Sequence, residues 1–429
     1  MRNFISNITP GTKYAEVFGW VHEVRDLGGL IFLLIRDRTG IIQATIVKKK
    51  APAAVVAAAT KVSRESVVQV SGPVKAIDKA PGGREILPET FAIISPALSP
   101  LPLDVVEKVP AELDTRLDNR FLDLRRQRVT AVFTVRSTVM RSVQRFLDDQ
   151  GFIAITTPKV VAAATEGGTE LFPIAYFDKE AFLNQSPQLY KQMMMAAGFD
   201  RVCEIGPIFR AEEHNTTKHL NEATSIDVEV SFADHNDVMD LLEDLIVYTY
   251  EQVREECEDA LVRLNVDLQV PASPFPRIPY AEALEIVRRR TGEELAFGDD
   301  FGATAERAVG EDMGVHYFIT DWPTAIKPYY AMPCTDRPHL CRAFDLMHPR
   351  MELSSGSQRI HDPDQLVEQI CAKGLSPDSF EFYLKPFRYG MPPHAGWGLG
   401  VERLVMTMLE LPNIREAVLF PRDRHRLVP

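Results

Sequence analysis

The chain has 429 residues, of which 45% are hydrophobic, so it can bury a large core and form more than one domain. It contains no run of roughly 18 apolar residues, and its N-terminus, MRNFISNITPG, lacks the apolar core of a signal peptide. We therefore expect a cytoplasmic protein without a membrane segment. The five cysteines form no C-x-x-C pair, which favours reduced thiols over a zinc site or a disulfide framework.

The net charge of −12 argues against a nucleic-acid binder, but its distribution is uneven. Residues 1–103 carry 13 Lys and Arg against 8 Asp and Glu, whereas the remainder carries 35 against 52. Within that acidic remainder, residues 116–145 hold eight arginines and two acids. A basic N-terminal part and a local basic patch suit a protein that contacts phosphate groups at a few places, although ordinary surface variation is the alternative.

The first hundred residues contain short strand-like stretches separated by turns. YAEVFGWVHEV, LIFLLIRD and GIIQATIV come first, and an Ala-rich helical segment (51–62) precedes SVVQVSGPVKAI and ILPETFAIIS. Five short strands and one helix predict an OB-fold β-barrel over residues 1–103. The proline-rich SPALSPLPLD is a predicted linker, and residues 104–130 are a predicted Arg-rich helical hinge.

The rest of the chain, residues 131–429, predicts an α+β domain. An amphipathic helix is expected over 131–149, because four apolar residues share one face: Val135, Val139, Val143 and Phe146. Strand-like runs (AFLNQSP, RVCEIGPIFRA, TSIDVEVSFA) predict an antiparallel sheet, and a long amphipathic helix is expected over 236–264. MELSSGSQRI, HAGWGLG and the helical VERLVMTMLE follow.

Arg210 and Glu212 stand in the run GPIFRAEEHNTTKHLNE, and Arg403 stands in the distant run GLGVERL. On a strand, residues two apart project to the same face. Such a pair could hold a phosphate with the guanidinium and accept a hydrogen bond from a purine amine with the carboxylate. With Arg403 as a second cation, the sequence predicts ATP binding on a sheet without a Walker-type loop. A buried ion pair is the alternative.

Three of these runs resemble the signature motifs of class II aminoacyl-tRNA synthetases. GFIAITTPKV, with Pro158, resembles motif 1, FRAEEHNTTKHLNE resembles motif 2, and GLGVERL resembles motif 3. The full pattern is similar to the compact archaeal and eukaryotic type of aspartyl-tRNA synthetases and covers almost the whole chain. The resemblance implies an OB-fold anticodon-binding domain joined to a class II catalytic domain, ATP-dependent ligation of L-aspartate to tRNA(Asp), and a homodimer built on motif 1.

The resemblance implies the nucleotide contacts. Arg210 would bind the α-phosphate, Glu212 the adenine amine, His219 the terminal phosphates, and Arg403 the base or the γ-phosphate. Arg210 and Arg403 are the expected catalytic residues, and the glycines of GLGVER would let backbone approach the ligand. The expected ATP-binding residues are Arg210, Glu212, Lys218, His219, Leu220, Glu352, Gly400, Val401, Glu402 and Arg403.

Oxygen-bearing side chains on two neighbouring strand-like segments predict a magnesium site. Asp345 stands in AFDLM, and Glu352 and Ser355 stand in MELSSGSQR. Hard oxygen ligands suit Mg²⁺, which would bridge the ATP phosphates and keep several waters. The resemblance places Glu352 and Ser355 at the metal; Asp345 completes the predicted set, with a surface acid as its alternative.

The run QSPQLYK predicts part of an amino-acid pocket, since Gln188 and Lys191 share one side of a helical turn. Lys191 and Arg359 could pair a side-chain carboxylate from two sides, while Glu166 and Asp227 could hold an α-ammonium group. The glycine-rich TEGGTE (165–170) would close over the amino acid. The expected aspartate-binding residues are Glu166, Ser186, Gln188, Lys191, Arg210, Asp227, Ser355 and Arg359.

Three alternatives are open at this point. An asparaginyl-tRNA synthetase is opposed by Lys191, because the related asparagine enzymes place a glutamate there to accept from an amide. A tRNA-independent, asparagine-forming paralogue would have no use for the N-terminal barrel. A non-catalytic tRNA-binding regulator would have lost its nucleotide residues, yet Arg210, Glu212, Glu352 and Arg403 are present.

Phe32 and Gln43 lie on adjacent predicted strands of the barrel. An aromatic ring offers a stacking face and a glutamine can recognise base edges. The resemblance implies that these two side chains hold the middle anticodon base, with Arg25 and Glu85 as neighbours. A core position is the alternative for Phe32.

Two further positions bear on tRNA choice. His22 in GWVHEVRD and Pro81 in KAPGGRE resemble the residues of non-discriminating enzymes of this family, which also charge tRNA(Asn) with aspartate. His22 as an ordinary turn residue is the alternative. The sequence leaves open whether tRNA(Asn) is a second substrate and whether a tRNA-dependent amidotransferase is a partner.

Overall fold

The computed structural model describes residues 2–162, 171–213 and 215–429. The chain forms two compact units, one ending at Arg126 and the other beginning at Gln127. This boundary falls inside the predicted hinge over 104–130. In the part of the chain that the structure describes, no helix has both the length and the apolar character of a membrane span.

The first unit is a closed β-barrel. Strands β1, β2 and β3 form an antiparallel meander, β3 pairs with β5 in parallel, β5 pairs with β4, and β4 returns to β1. A sixth strand, β6, extends β4 on its other side. The strands are β1 (Tyr14–Asp26), β2 (Leu30–Asp37), β3 (Gly40–Val47), β4 (Val67–Ala76), β5 (Arg84–Ile86) and β6 (Thr90–Ser95).

Alternation along the strands separates the core of the barrel from its outer face. On β2, Ile31, Leu33 and Ile35 are fully buried, whereas Phe32 between them is only partly buried. Helix α1 (Ala53–Lys61) joins β3 to β4, as the sequence predicts. These features confirm the OB-fold prediction. The short helices α2 (Leu113–Asp118) and α3 (Arg120–Asp123) follow β6.

The second unit is built on an eight-stranded mixed sheet in the order β13-β14-β15-β16-β17-β12-β11-β7. Its neighbours from β14 to β11 are antiparallel, and only the two edge pairs are parallel. The strands are β7 (Ile153–Ala154), β11 (Arg201–Phe209), β12 (Glu222–Ser231), β13 (Arg277–Pro279), β14 (Tyr317–Pro323), β15 (Leu340–His348), β16 (Met351–Arg359) and β17 (His394–Gly400). A small sheet precedes β11 and contains β8 (Val160–Val161), β9 (Pro173–Tyr176) and β10 (Lys179–Leu183).

Helices cover the apolar face of the large sheet and enclose the main core. Sheet and helices together confirm the predicted α+β class. The helices of this unit are α4 (Gln127–Asp149), α5 (Gln188–Ala196), α6 (His235–Glu256), α7 (Glu258–Leu264), α8 (Tyr280–Thr291), α9 (Ala303–Met313), α10 (Pro363–Ala372), α11 (Glu381–Phe387) and α12 (Val401–Met408).

Two helix predictions need correction. The helix predicted over 131–149 starts earlier, at Gln127, and its four predicted apolar residues are buried against the sheet. The single helix predicted over 236–264 is two helices, because the chain turns at Cys257 between α6 and α7. An amphipathic pattern that continues across a turn is not enough to locate such a break.

Candidate active site

Three adjacent strands, β12, β17 and β16, form the floor of a polar cavity. Along β12 the apolar Ile226, Val228 and Val230 face the core, so the intervening polar residues face the cavity. The central strand, HAGWGLG, places glycines on the cavity side between its two neighbours. Two rows of paired residues cross the floor: Asp227–Gly398–Ser355 and Glu229–Gly396–Ser357.

The glycines of β17 make room for the acids of β12. A Cβ at Gly396 would collide with the Val228 carbonyl oxygen and the Glu229 carboxylate. A Cβ at Gly398 would stand 3.3 Å from Asp227 Oδ1, which is tighter than ordinary van der Waals contact. The glycines therefore let side chains from both flanking strands converge above the central one.

The cavity has a volume of about 460 Å³ and draws together most of the predicted site residues. They come from motif 2, motif 3, β12, β16 and the start of α5. The predicted residues that line it are Ser186, Gln188, Arg210, Glu212, Lys218, His219, Leu220, Asp227, Glu352, Ser355, Arg359, Gly400, Glu402 and Arg403.

Four predicted residues are not among those lining residues. Lys191, Asp345 and Val401 lie beneath the surface, with exposed fractions of 1%, 4% and 0%. Lys191 and Asp345 still contact lining residues, as shown below. Glu166 and the run TEGGTE fall outside the described residues.

Lys191 lies under the end of the cavity that we call the amino-acid end, where β12, β16 and β17 converge. Its Nζ donates to Asp227 Oδ1 at 2.9 Å and to the Trp397 carbonyl at 3.0 Å, and it lies 3.5 Å from Glu229 Oε2. Asp227 also accepts from Ser225 Oγ at 2.6 Å. The third N–H of the ammonium group has only the more distant Glu229 oxygen, and it is the one from which a ligand carboxylate could accept.

Arg359 faces the same end and is held by the fully buried Glu229. Its Nε and Nη2 donate to the two carboxylate oxygens at 2.9 and 3.2 Å, and Nη1 donates to Ser357 Oγ at 2.8 Å. A guanidinium has five N–H groups, so two remain for a ligand. Burial raises the pKa of the Glu229 carboxyl, but the charges of Arg359 and Lys191 outweigh it and hold that pKa below its ordinary value.

A neutral network supports the amino-acid end from behind. Tyr383 Oη donates to Gln192 Oε1 at 2.9 Å, and the His394 ring lies 3.1 Å from the same oxygen and 2.8 Å from the Pro392 carbonyl. Burial lowers the pKa of His394 to about 4. The ring is therefore neutral at pH 7 and adds no charge beside Arg359.

Arg210 and Glu212 line the opposite part of the cavity, which we call the nucleotide end. Strand β11 ends at Phe209, so the prediction that both residues lie on a strand is wrong. The backbone of Arg210 is instead fixed by Asn221, through Arg210 N to the Asn221 carbonyl at 3.0 Å and Asn221 Nδ2 to the Arg210 carbonyl at 2.8 Å. These two bonds hold the chain next to the cavity after the strand has ended.

The other nucleotide-end residues are partly exposed. Arg403 Nη1 donates to the Glu352 carbonyl at 3.2 Å and lies 3.7 Å from its carboxylate. Lys218 pairs with Glu306 of α9 at 3.2 Å, and His219 Nδ1 lies 2.6 Å from Thr216 Oγ1. Arg403 and Lys218 each expose 27% of their side chains, so both can move to meet a phosphate.

The predicted metal ligands converge because of a β-bulge. Leu346 pairs with Ser354 and the next residue, Met347, pairs with Glu352, which leaves Leu353 as an extra residue on β16. In a regular strand, residues three apart point to opposite faces, but this bulge brings Glu352 and Ser355 to the same cavity.

Asp345 lies directly opposite Ser355 on β15. Its Oδ2 accepts from Lys327 Nζ at 2.6 Å, and its Oδ1 is buried without a hydrogen-bond donor. Burial raises the pKa of the Asp345 carboxyl; Lys327 opposes that rise and Glu352 adds to it. Two carboxylates and a hydroxyl, with one buried carboxylate oxygen that accepts no hydrogen bond, form the kind of hard oxygen donor set that would suit Mg²⁺.

Within the first unit, the four predicted anticodon residues lie on neighbouring strands. Arg25 is the register partner of Phe32, and Gln43 is the register partner of Glu85. Phe32 lies outside the apolar core, which removes the alternative that it is a core residue. Gln43 Nε2 donates to Glu85 Oε2 at 3.0 Å, and Thr45 Oγ1 donates to the same oxygen at 2.5 Å, so the amide is fixed in orientation.

The two predicted discrimination residues occupy different settings. His22 lies within β1, not in a turn, and its Nδ1 is 2.8 Å from Arg36 Nη1. Burial, together with the Arg36 charge, lowers the pKa of His22. Pro81 begins a short 3₁₀ turn before β5.

Sequence reasoning missed three residues that shape the cavity. Glu229 holds Arg359, Lys327 holds Asp345, and Arg136 of α4 pairs with Glu402 at 2.9 Å. A signal for Glu229 was present, since SIDVEV puts it two residues after Asp227 on the same face of a strand. Lys327 lies in an irregular segment and Arg136 on a distant helix, so their partners depend on the tertiary fold.

An antiparallel sheet with a nucleotide-sized polar cavity and arginines from two distant segments, carried with an OB-fold barrel, is the architecture of a class II aminoacyl-tRNA synthetase. The family comparison agrees. Residues 112–424 match the model "tRNA synthetases class II (D, K and N)" and residues 15–94 match "OB-fold nucleic acid binding domain". The chain belongs to the class II synthetase family for aspartate, lysine and asparagine.

Individual relatives are similar along the full chain. The chain is 73% identical over 429 residues to the aspartate–tRNA(Asp/Asn) ligase of Methanoculleus marisnigri, covering all of both chains. Among solved structures, the asparaginyl-tRNA synthetase of Pyrococcus horikoshii with asparaginyl-adenylate superposes with a TM-score of 0.95 at 35% identity, covering all of both chains. An aspartyl-tRNA synthetase of Entamoeba histolytica gives 0.89 at 33% identity, covering 100% of this chain and 93% of that one.

Proposed function

We propose that this enzyme activates L-aspartate with ATP and transfers it to both tRNA(Asp) and tRNA(Asn). The observation that carries the proposal is that the amino-acid end and the nucleotide end belong to one continuous cavity. Arg359, above Lys191, offers unused donors for a side-chain carboxylate, and Arg210 and Arg403 lie where a triphosphate would reach. The full-length relative at 73% identity is named as a ligase for both tRNAs.

In the first step, the α-carboxylate of aspartate attacks the α-phosphorus of ATP, and pyrophosphate leaves. Arg210 neutralises the charge that develops on the α-phosphate, while Lys218, His219 and Arg403 hold the departing phosphates. The enzyme supplies no nucleophile. Its contribution is to place the carboxylate next to the phosphorus and to surround the phosphates with fixed positive charge.

We propose that Glu352, Ser355 and Asp345 hold Mg²⁺ against the phosphates. The fit rests on the oxygen-only donor set, the buried Asp345 Oδ1 without a donor, and the bulge that aims Glu352 and Ser355 into one cavity. When bound, the ion screens charge on the phosphate oxygens. The protein's own part is to orient these three side chains along two paired strands.

In the second step, the 3′-terminal ribose hydroxyl of the tRNA attacks the aspartyl-adenylate and releases AMP. Recognition of the anticodon would fall to the outer face of the barrel, where Phe32 offers a stacking surface and Gln43 and Glu85 form a fixed polar pair. Relaxed tRNA choice is supported by His22 and Pro81 and by the name of the relative.

Parallel charging assays test the proposal. Purified tRNA(Asp) and tRNA(Asn) transcripts, with a third transcript of unrelated anticodon as control, are incubated with labelled aspartate and, separately, with labelled asparagine. We expect aspartate on both cognate transcripts, asparagine on neither, and no product on the control transcript. An Arg210→Ala preparation reports background in each reaction.

The outcomes separate the competing functions. Attachment of asparagine would contradict aspartate selection, which matters because the fold is at least as similar to an asparaginyl enzyme as to an aspartyl one. Aspartate on tRNA(Asp) alone would contradict the relaxed tRNA choice. Asparagine formed without any tRNA would support the asparagine-forming paralogue instead.

We infer a homodimer through the motif 1 edge of the sheet. Strand β7 pairs in parallel with β11 at the end of the large sheet, where Ile153 is 47% exposed; Val160, on β8 of the small sheet, is 42% exposed. Light scattering after gel filtration should give twice the mass of 48.2 kDa, and Ile153→Asp should lower it towards a single chain. A single-chain mass for the wild type would contradict the inference.

We further infer that the aspartyl-tRNA(Asn) product passes to a tRNA-dependent amidotransferase in the cytoplasm, since aspartate on that tRNA must be amidated before use in translation. Adding a purified amidotransferase and glutamine to the charging reaction should convert tRNA(Asn)-bound aspartate to asparagine. Failure of that conversion with an amidotransferase known to be active would contradict the inference.

A further inference from the structure

Lys327 is an unassigned cation in the wall of the cavity. It lies in the segment after β14, lines the cavity, and places its Nζ 2.6 Å from Asp345 Oδ2. Its side chain is 14% exposed, so the ammonium group is largely shielded from solvent screening. The Lys327–Asp345 ion pair therefore lies in the cavity wall, between the proposed metal site and the space where we expect the ATP phosphates.

Lys327 is held by a cation–π contact, and the segment that carries it has a separate anchor. Its Nζ lies 4.0 Å from the centre of the buried Trp322 ring. The segment itself is anchored by Lys373, the residue after α10, whose Nζ donates to the Thr324 and Ala325 carbonyls at 3.1 and 2.6 Å. Replacing the Lys327 ammonium with a neutral group of similar length should therefore leave this segment in place.

The charges on this side of the cavity are close to balance. Asp345 and Glu352 supply two negative charges on paired strands; Lys327 neutralises the first, and Arg403 lies 3.7 Å from the second. A divalent cation that approaches Asp345 Oδ1 must overcome repulsion from an ammonium group bound to the other oxygen of the same carboxylate. At such short range, the repulsion between the Lys327 ammonium and a divalent cation is larger than the entropy cost of fixing one side chain.

We propose that Lys327 acts as a resident counter-cation that keeps divalent metal out of the Asp345–Glu352 site until ATP is bound. The inference rests on the metal site described under the proposed function. When a nucleotide enters, its phosphates offer Lys327 a second anionic partner and offer the metal further oxygen ligands. Both changes favour the metal at Asp345, so metal and nucleotide bind together rather than in sequence. Lys327 is thus a positioning residue for the metal.

Binding of Mn²⁺ to the full-length enzyme tests the proposal without a turnover measurement. Free Mn²⁺ is followed by electron paramagnetic resonance, with and without an ATP analogue that cannot be cleaved at the α-phosphate. Four proteins are compared: wild type, Lys327→Met, Lys327→Arg and Lys385→Met. The last removes an exposed lysine of α11 that does not line the cavity, and leaves the charge at Asp345 unchanged; circular dichroism checks that each protein is folded.

Without nucleotide, Lys327→Met should bind Mn²⁺ at least about tenfold more tightly than wild type, because one repelling charge has been removed. Lys327→Arg and Lys385→Met should match wild type, and Asp345→Asn added to Lys327→Met should abolish the gain. Unchanged or weaker binding by Lys327→Met would overturn the role of Lys327. If Mn²⁺ binding to wild type with the nucleotide analogue does not depend on Asp345 or Glu352, the proposed metal site itself is wrong.

Discussion

The two ends of the cavity differ in how deeply their charged side chains are buried. At the amino-acid end, Lys191, Arg359, Asp227 and Glu229 are at most 4% exposed and are already paired with one another. At the nucleotide end, the paired side chains of Lys218, Glu306, Arg403 and Glu352 expose between 23% and 36%. We infer that the amino-acid end is ordered before a ligand binds, whereas the side chains of the nucleotide end take their final positions only with the ligand.

This difference follows from ligand size and charge. Aspartate is small, so selecting it against asparagine depends on a few donors held in fixed directions, and a buried cation keeps its direction only if a buried acid fixes it. ATP brings several charges of its own, and its binding site can remain hydrated until they arrive. We therefore expect mutations at the amino-acid end to damage both folding and binding, and mutations at the nucleotide end to damage catalysis alone.

The largest effect should come from breaking the balance at the amino-acid end. Glu229→Gln leaves the buried Arg359 without its bidentate anion, so the free energy of unfolding should fall by about 3–5 kcal/mol and aspartate binding should weaken. Urea denaturation and calorimetric titration with aspartate measure the two effects. Glu381→Gln, which removes the exposed partner of Arg388, is the matched control. Wild-type stability in Glu229→Gln would show that the buried Arg359 does not need Glu229 as its partner.

The next largest effect should come from the nucleotide end, and it should leave stability unchanged. Arg210→Ala removes positive charge from the α-phosphate in the transition state, so aspartate-dependent ATP–pyrophosphate exchange should fall by about 10²–10³-fold, as for other lost charge-stabilising donors. The exposed Arg288→Ala is the control and should keep full activity. Exchange within a few-fold of wild type would remove Arg210 from the mechanism.

A smaller effect, confined to tRNA charging, is expected from the barrel. Phe32→Ala removes a stacking face worth about 1–3 kcal/mol, so kcat/KM for charging should fall by roughly 5- to 150-fold. Pyrophosphate exchange, which needs no tRNA, should not change. Tyr14→Ala, which removes an exposed aromatic side chain of β1, is the control. Equal losses in both assays would indicate damage to the fold instead of lost stacking.

The smallest effect concerns pH. Burial lowers the pKa of His316 to about 3, and that of His394 to about 4, from the ordinary value of 6.5. Below pH 6.5 the unfolded chain therefore binds more protons than the folded one, so the free energy of unfolding should fall as the pH drops from 6.5 towards 4. Each histidine contributes a slope of up to about 1.4 kcal/mol per pH unit.

His316→Phe isolates one of these contributions, because His316 stacks on Phe275 and is not among the cavity-lining residues. Denaturation curves at pH 7, 6 and 5 should show a shallower loss of stability in the variant. At pH 8 the ring is neutral in both states, so the slope there should be the same for both proteins. An unchanged slope between pH 6 and 5 would show that His316 titrates normally in the folded enzyme.

The sequence predicted the elements of the site better than their geometry. The floor of the cavity could be predicted from the alternation on β12 and the glycines of HAGWGLG, because strand periodicity depends only on the local sequence. The bulge at Leu353 could not be predicted, since it depends on how β16 pairs with β15. The end of β11 before Arg210 was missed because nothing in FRAEE marks it, and because Asn221, just before β12, fixes that segment.

The same distinction explains the pairing of charges. The sequence predicts that Lys191 and Arg359 pair a substrate carboxylate from two sides, but it does not show that each is also held by a buried acid. Which acid meets which base depends on register across three strands, and no pattern within one segment encodes that. Because both the cation and the acid of each pair are buried, we expect the site to be rigid before the substrate binds.

A crystal structure with a non-hydrolysable aspartyl-adenylate analogue would show whether the amino-acid end is rigid before substrate binds. We expect the side-chain carboxylate to accept hydrogen bonds from Lys191 and Arg359 while both remain paired with Asp227 and Glu229, and Arg210 to contact the phosphate mimic. A carboxylate that receives no hydrogen bond from either cation, or acid partners that move away to admit it, would refute a preformed aspartate site.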